Sequence, residues 1–214
     1  MANLKVAVVT ENHPVDIFAF TTMLNKLPKI SWYMQSIDLL AKDDANREKY
    51  DVFLFYHLSK KLPQDEKVRW FVEEYLGSTN QGIVLLHHAV CCYHGASYWE
   101  AMTGIPDRTF VYHWDQVLEC KIQNPQHPIT QGMKDFVLDD ETYEMAEPSS
   151  QGTEVLVTVE HPLSMKTLAW TRQYHKSKVF NYVSGHDEQA YTNPHFLQIL
   201  GNGVQWTGSH GVHD

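Results

Sequence analysis

Histidines follow three predicted strands of this chain. Each strand is an apolar run that ends near one or two imidazoles: Lys5–Thr10 precedes His13, Asp51–Tyr56 precedes His57, and Gly82–Leu86 precedes His87 and His88. The carboxyl ends of parallel strands share one edge of a sheet, and open α/β folds bind their ligands at that edge. Imidazoles placed there can transfer protons or bind a transition metal. The pattern therefore predicts a histidine-containing site at this edge.

Two further histidines belong to the same hypothesis. His186 follows the predicted strand Val179–Val183, and Gly185 before it lets the backbone turn and expose the imidazole. We predict that His87 and His186 are catalytic, and that His87, His113 and His186 are candidate ligands for a divalent metal such as zinc. Their spacing matches no known metal motif, so proton transfer without a metal stays an alternative.

An acidic cluster, Asp139-Asp140-Glu141-x-Tyr143, lies in the second half of the chain. Adjacent carboxylates repel each other, which can raise the pKa of one of them and suit it to acid-base work. We therefore predict Asp140 and Glu141 as catalytic carboxylates, with a solvated acidic turn as the alternative. The predicted substrate-binding residues are His13, His57, Tyr143 and Tyr191.

Composition and missing sequence motifs narrow the possible partners, cofactors and location of the protein. The 214 residues carry a formal net charge of −9, which disfavours nucleic acid and anionic membranes as partners. The sequence has neither a signal-peptide pattern nor an apolar run long enough to span a bilayer, so we expect a cytoplasmic protein. No glycine-rich phosphate loop occurs, and we expect no nucleotide cofactor. The three cysteines form no plausible disulfide framework.

Strand and helix signals alternate in the first half of the chain. Strands are predicted near residues 4–10, 31–37, 51–56 and 82–87, with amphipathic helices between them. This βαβαβαβ order predicts an α/β fold with a parallel sheet. Short strands follow in the second half, where they either extend the sheet in antiparallel fashion or form a small flap. No linker or repeat is visible, so residues 1–214 are predicted to form a single domain.

Several motifs in order resemble the ThuA-like, or trehalose-utilisation, family, which is related to class I glutamine amidotransferases. They are Gly82-Ile-Val-Leu-Leu-His87, His127-Pro-Ile-Thr-Gln-Gly132, Asp140-Glu141-Thr142-Tyr143, Trp170, Val179-Phe-Asn-Tyr-Val-Ser-Gly-His186 and Asn193-Pro-His-Phe196. The resemblance spans about residues 4–207. It implies a flavodoxin-like three-layer sandwich with a mostly parallel sheet and a role in carbohydrate metabolism.

The chain departs from the amidotransferases at the strand-to-helix turn. Those enzymes need a nucleophilic cysteine there, whereas this chain has His87-His88-Ala89-Val90. Cys91 and Cys92 follow, but buried cysteines are common as small apolar residues. We therefore predict that the protein is not a glutamine amidotransferase.

Together these features predict an enzyme that acts on a sugar or keto-sugar derivative. The chemistry would be isomerisation, elimination or hydrolysis, by histidine and carboxylate acid-base catalysis or with a metal. The partner would be a small carbohydrate, and the keto-sugar idea comes only from the family's sugar context. The alternative is a non-catalytic carbohydrate-binding or regulatory module that kept the fold without the cysteine. A homodimer is expected, on the basis of aromatic residues along Pro63–Leu76.

Overall fold

A computed structural model describes residues 3–209, and these residues form one nine-stranded sheet with flanking helices. The strands are β1 (Leu4–Val9), β2 (Ile30–Met34), β3 (Val52–Phe55), β4 (Gly82–Leu86), β5 (Val111–Ile122), β6 (Phe136–Glu144), β7 (Thr153–Thr158), β8 (Thr167–Tyr174) and β9 (Ser177–Tyr182). Their spatial order is β2-β1-β3-β4-β9-β8-β7-β5-β6.

The first half of the sheet is parallel. Strand β1 pairs with β2 and β3, β3 pairs with β4, and β4 pairs with β9, all in parallel. Every residue of β3 and β4 is buried, as is typical of continuous apolar strands that are covered on both faces. The predicted parallel arrangement of the first four strands is confirmed.

The expectation of a mostly parallel sheet is wrong for the fold as a whole. In the described part of the chain the sheet is mixed, because four antiparallel pairings link β9, β8, β7, β5 and β6. Parallel neighbours need long crossovers, whereas antiparallel strands can be joined by short turns. No helix lies between β5 and β9, and only His175 and Lys176 separate β8 from β9. The short strands of the second half therefore extend the sheet in antiparallel fashion.

Seven α-helices accompany the strands in residues 3–209. They are α1 (Ile17–Lys26), α2 (Ile37–Lys42), α3 (Asp44–Arg47), α4 (Glu66–Trp70), α5 (Ser97–Thr103), α6 (Glu188–Thr192) and α7 (Pro194–Gly208). Side chains cap several of them; the Asn193 carboxamide, for example, accepts from two backbone N–H groups at the start of α7. None of the described helices is both long and apolar enough to cross a bilayer.

The acidic cluster lies in a strand and not in a solvated turn. Residues Asp139 to Tyr143 belong to β6, where Asp139 is exposed and Asp140, Glu141 and Tyr143 are buried. β6 is the last strand of the sheet and pairs with β5. Side chains of β6 nevertheless reach the residues that follow two central strands. Asp140 contacts the backbone of Gly185 and His186 after β9, and Tyr143 contacts His87 after β4.

Candidate active site

His87 begins the turn at the carboxyl end of β4. Its backbone has a φ of 54°, and the fully buried imidazole donates from Nδ1 to the Val183 carbonyl at 2.8 Å. This hydrogen bond leaves Nε2 as the acceptor. Nε2 lies 2.8 Å from the Tyr143 hydroxyl, which donates to it. The tautomer of His87 is therefore set by a backbone carbonyl on the neighbouring strand end.

Three side chains converge at His87 Nε2. His186 Nδ1 lies 3.2 Å away and Glu141 Oε1 lies 3.4 Å away, while Glu141 Oε2 is 3.5 Å from His186 Nδ1. Burial would raise the pKa of Glu141, but the hydrogen bond and charge that His87 offers when protonated, together with the charge of protonated His186, lower it overall. The fold thus gathers two imidazoles and one ionised carboxylate that are far apart in sequence.

Donor atoms of these three side chains lie close enough together to share a metal: with one oxygen taken from Glu141, all three lie within 4.8 Å of one another. A tetrahedral zinc ion with bonds of about 2.0–2.1 Å places neighbouring ligand atoms about 3.3–3.4 Å apart. Two histidines and one carboxylate are also a donor set that zinc accepts, and the Val183 carbonyl supplies the outer hydrogen bond that ligating histidines usually make. The Tyr143 hydroxyl can turn to Glu141, which frees His87 Nε2. Among the described residues, His87, Glu141 and His186 form the one such group of donors.

Asp140 holds the two sides of this group together. Its buried carboxylate accepts from the backbone N–H groups of Glu141 (2.9 Å), Gly185 (2.7 Å) and His186 (3.0 Å). Burial raises the pKa of Asp140, and the charge of His87 and these hydrogen bonds partly oppose that shift. The carboxylate faces the backbone, which gives Asp140 the geometry of a positioning residue.

The loop that carries His186 is also held through its carbonyl groups. The Tyr56 hydroxyl lies 3.0 Å from the carbonyl oxygens of Gly185 and His186, and the Tyr191 hydroxyl lies 3.0 Å from that of His186. Gly185 has a φ of 110°. The position of His186 is therefore fixed by strand β6 on one side and two buried tyrosines on the other.

A cavity of about 450 Å³ opens beside the group. It is lined by His13, Pro14, Leu58, Lys60, His88, Phe110, Tyr112, Trp114, Glu141, Tyr143 and His186. His87 is fully buried behind these residues and does not line the cavity itself. Such a mixture of aromatic side chains and a few polar groups is typical of small-molecule sites.

Two more histidines shape this cavity. The His13 ring stacks on His88 with 4.0 Å between ring centroids, and its Nδ1 donates to the Pro14 carbonyl at 2.7 Å. Burial lowers the pKa of His13, so its imidazole is neutral at physiological pH. His88 is buried and donates from Nε2 to the Tyr56 carbonyl at 3.1 Å.

The structure places three other predicted site residues away from the cavity. His57 is buried against Tyr93 and Trp99, and Tyr191 is buried beneath the His186 loop. His113 pairs with Glu144 at 2.6 Å, and the place predicted for it beside His87 and His186 is taken by Glu141. His57 and Tyr191 therefore do not line the cavity, and His113 does not belong to the donor group formed by His87, Glu141 and His186.

Sequence reasoning missed several residues of the cavity wall. Lys60, Phe110 and Tyr112 line it, and the Lys60 ammonium lies 4.9 Å from the centre of the Phe110 ring. Phe110 and Tyr112 precede His113, and of these three only the histidine is predicted from the sequence as a site residue. The signal in the sequence was the aromatic run Phe110-Val-Tyr-His-Trp114. Only the structure shows that Tyr112 is 52% exposed and Trp114 60%.

The chain matches the family model described as ThuA, trehalose utilisation, over residues 5–207. A ThuA-like protein from Bacteroides uniformis has a similar structure, with a TM-score of 0.74, 19% identity, and coverage of 96% of this chain and 92% of that one. A ThuA-like protein from Parabacteroides merdae gives a TM-score of 0.73 at 15% identity, covering 97% and 90%.

Similar folds are also found outside these ThuA-like structures. A protein described as a GMP synthase subunit, from Thermoplasma acidophilum, has a TM-score of 0.58 at 8% identity, covering 98% of this chain and 96% of that one. No curated protein matches the sequence. The family match covers nearly all of the described residues, and it includes the strand ends and the β6 cluster that build the site. The chain belongs to the ThuA (trehalose utilisation) family.

Proposed function

We propose that the protein is an enzyme acting on a sugar or keto-sugar derivative, with its reactive centre at His87, Glu141 and His186. The observation that carries this proposal is the convergence of these three side chains at the wall of the cavity, where one donor atom from each lies within 4.8 Å of the other two. The family description, trehalose utilisation, supports a carbohydrate as the substrate.

A divalent metal such as zinc fits this centre. His87 Nε2, His186 Nδ1 and a Glu141 oxygen would hold it, and three protein ligands leave a position open for substrate. The metal would supply Lewis-acid polarisation of a substrate oxygen. The outer contacts, from Val183 to His87 and from Asp140 to the His186 backbone, orient the donors before anything binds.

The surrounding residues have separate tasks in this proposal. Tyr143 can donate a hydrogen bond from the cavity wall, and neutral His13 keeps an acceptor at Nε2, for which no described residue provides a hydrogen bond. Phe110, Tyr112 and Trp114 offer ring faces on which the C–H face of a sugar can pack. These side chains bind and orient the substrate at the centre.

The proposal is tested by metal analysis and a substrate screen on the purified protein. We expect about one zinc per chain, lost in Glu141→Gln and His186→Ala and kept in His113→Ala, which removes an imidazole outside the centre. Across a panel of sugars and keto-sugars, turnover should require the metal and fall about 10²–10⁴-fold in His186→Ala.

The possible outcomes separate the alternatives. Unchanged turnover after complete removal of metal by a chelator would contradict a catalytic role for the metal. It would favour acid-base catalysis by the same residues without a metal. If sugars bind but no sugar of the panel is turned over, the proposal of an enzyme would be contradicted. A non-catalytic carbohydrate-binding module would then be favoured.

A further inference from the structure

A second cavity meets the first at the candidate centre. It has a volume of about 290 Å³ and shares Trp114, Glu141 and His186 with the larger one. Its other lining residues are Asp115, Asp140, Asp187 and Gln189. The centre therefore lies between two lobes, and Trp114 is part of the wall of both.

An irregularity in strand β5 builds this second lobe. The pairing of β5 with β6 stops at His113 and resumes at Gln116, and Asp115 has a φ of 54°. A bulge of this kind re-aims side chains, and such bulges are frequent beside active sites. Here it leaves Trp114 60% exposed at the junction of the lobes.

Hydrogen bonds fix the far wall of the lobe. Gln189 Nε2 donates to Asp115 Oδ1 at 3.0 Å, which ties the bulge to helix α6. The backbone N–H of Gln189 donates to Asp187 Oδ1 at 2.9 Å. Each carboxylate keeps its second oxygen as an acceptor for a ligand.

We propose that the smaller lobe is a subsite for an uncharged polyhydroxyl group, such as a second sugar ring, attached to the part of the substrate that reacts. Hydroxyl groups can donate to Asp115 and Asp187, while the ring packs on Trp114. The inference rests on the proposed function, because it takes the centre between the lobes as the place of reaction.

The charges of the lining favour a neutral ligand group. No Lys or Arg is found among the described residues that line the smaller lobe, whereas Lys60 lines the larger one. Carboxylates there would repel a phosphate or carboxylate group. Asp115 and Asp187 are also absent from the one donor group suited to a metal in the described chain, so these two carboxylates lie outside the candidate metal centre.

The test measures dissociation constants by calorimetry for glucose and for the two-ring sugars maltose and trehalose. We expect a two-ring sugar to bind at least about tenfold tighter than glucose, which corresponds to burial of roughly 60 Å² of additional apolar surface. Trp114→Ala should remove most of this preference, and Asp187→Asn, which can still cap helix α6, should reduce it. Val117→Ala is the matched control, since Val117 is equally exposed on β5 but lines neither lobe.

Equal affinities for glucose and both two-ring sugars would overturn the subsite, as would an unchanged preference in Trp114→Ala. Because Trp114 is largely exposed, its loss should leave the fold intact, and a thermal melt checks this. The ratio of affinities needs neither metal nor turnover. A two-ring preference in a protein without metal or turnover would support the subsite and contradict the proposed enzyme. Metal-dependent turnover without the preference would contradict the subsite alone.

Discussion

Asp140 Oδ1 accepts a hydrogen bond of 3.0 Å from the backbone N–H of His186, and this contact joins β6 to the loop after β9. The neighbour of Asp140 in β6 is Glu141, and its backbone N–H donates to the same oxygen at 2.9 Å. One buried carboxylate thus fixes the backbone of two of the three residues at the centre. A displacement of the Asp140 carboxylate would therefore change the distance between the donor atoms of Glu141 and His186.

Replacing Asp140 by asparagine should damage both stability and the centre. The amide nitrogen cannot accept, so at least one buried N–H loses its partner, which lowers the free energy of unfolding by about 1–3 kcal/mol. Misplacement of His186 should weaken zinc binding about 10–100-fold. Chemical denaturation and a competition titration against a chelator measure the two effects. Asp139→Asn is the control, because Asp139 is exposed on the same strand; an equal effect there would contradict the role of Asp140.

Gly185 gives a second way to displace His186. A Cβ at Gly185 would lie 2.9 Å from the Phe196 ring, whereas a Cβ at Gly132 would meet nothing within 4 Å. Both glycines have positive φ, so Gly132→Ala should show backbone strain alone, about 1–2 kcal/mol. Gly185→Ala should cost more in urea denaturation and also lower metal affinity. Equal losses of stability with intact metal binding would show that the loop tolerates the side chain.

The approach of His87 and His186 could be predicted because both follow strands of the parallel half. Strands β4 and β9 pair in parallel, and parallel neighbours end at the same edge of the sheet. The roles of neighbouring histidines could not be predicted in this way. His57 lies two residues after the end of β3, yet its ring lies in the core against Tyr93 and Trp99. Sequence periodicity does not tell which way a side chain turns once a strand has ended.

Strand β6 was missed for a related reason. Its residues Asp139, Asp140 and Glu141 are charged, and charged runs usually lie in solvent. Asp140 can be buried because three backbone N–H groups donate to its carboxylate. Two of these groups, from Gly185 and His186, belong to a loop more than 40 residues away in sequence. The mixed sheet could not be predicted for the same reason. Which short strands pair with each other depends on contacts between residues far apart in sequence, and a local sequence pattern does not show these contacts.

The buried imidazole of His57 predicts a pH dependence of stability. Burial lowers the pKa of His57 from 6.5 to about 3, so below pH 6.5 the unfolded chain binds a proton that the folded chain does not. Its contribution to stability is complete above pH 6.5 and decreases as the pH falls toward 3. By pH 5 the loss should reach about 2 kcal/mol. Denaturation at about pH 7.5 and pH 5 should show a smaller loss in His57→Phe than in the wild type.

Tyr93→Phe is the matched control for His57. It removes the same hydrogen bond, between the Tyr93 hydroxyl and His57 Nε2 at 3.0 Å, but keeps the imidazole. It should therefore lower stability while leaving the pH dependence as in the wild type. Identical pH dependence in wild type and His57→Phe would show that another group is responsible.

We expect this chain to lack glutamine amidotransferase activity. At the turn after β4 the chain has His87 instead of a cysteine, and both nearby thiols are buried. Burial raises the pKa of Cys92 to about 12 and that of Cys91 well above its usual value, so neither is a thiolate at neutral pH. The Cys92 thiol also donates to the His57 carbonyl at 3.2 Å. We expect no release of ammonia from glutamine, measured by coupling to glutamate dehydrogenase. Cys91→Ala and Cys92→Ala should leave sugar turnover per folded molecule unchanged. Steady ammonia release that either substitution abolishes would show that one of these thiols reaches substrate after all.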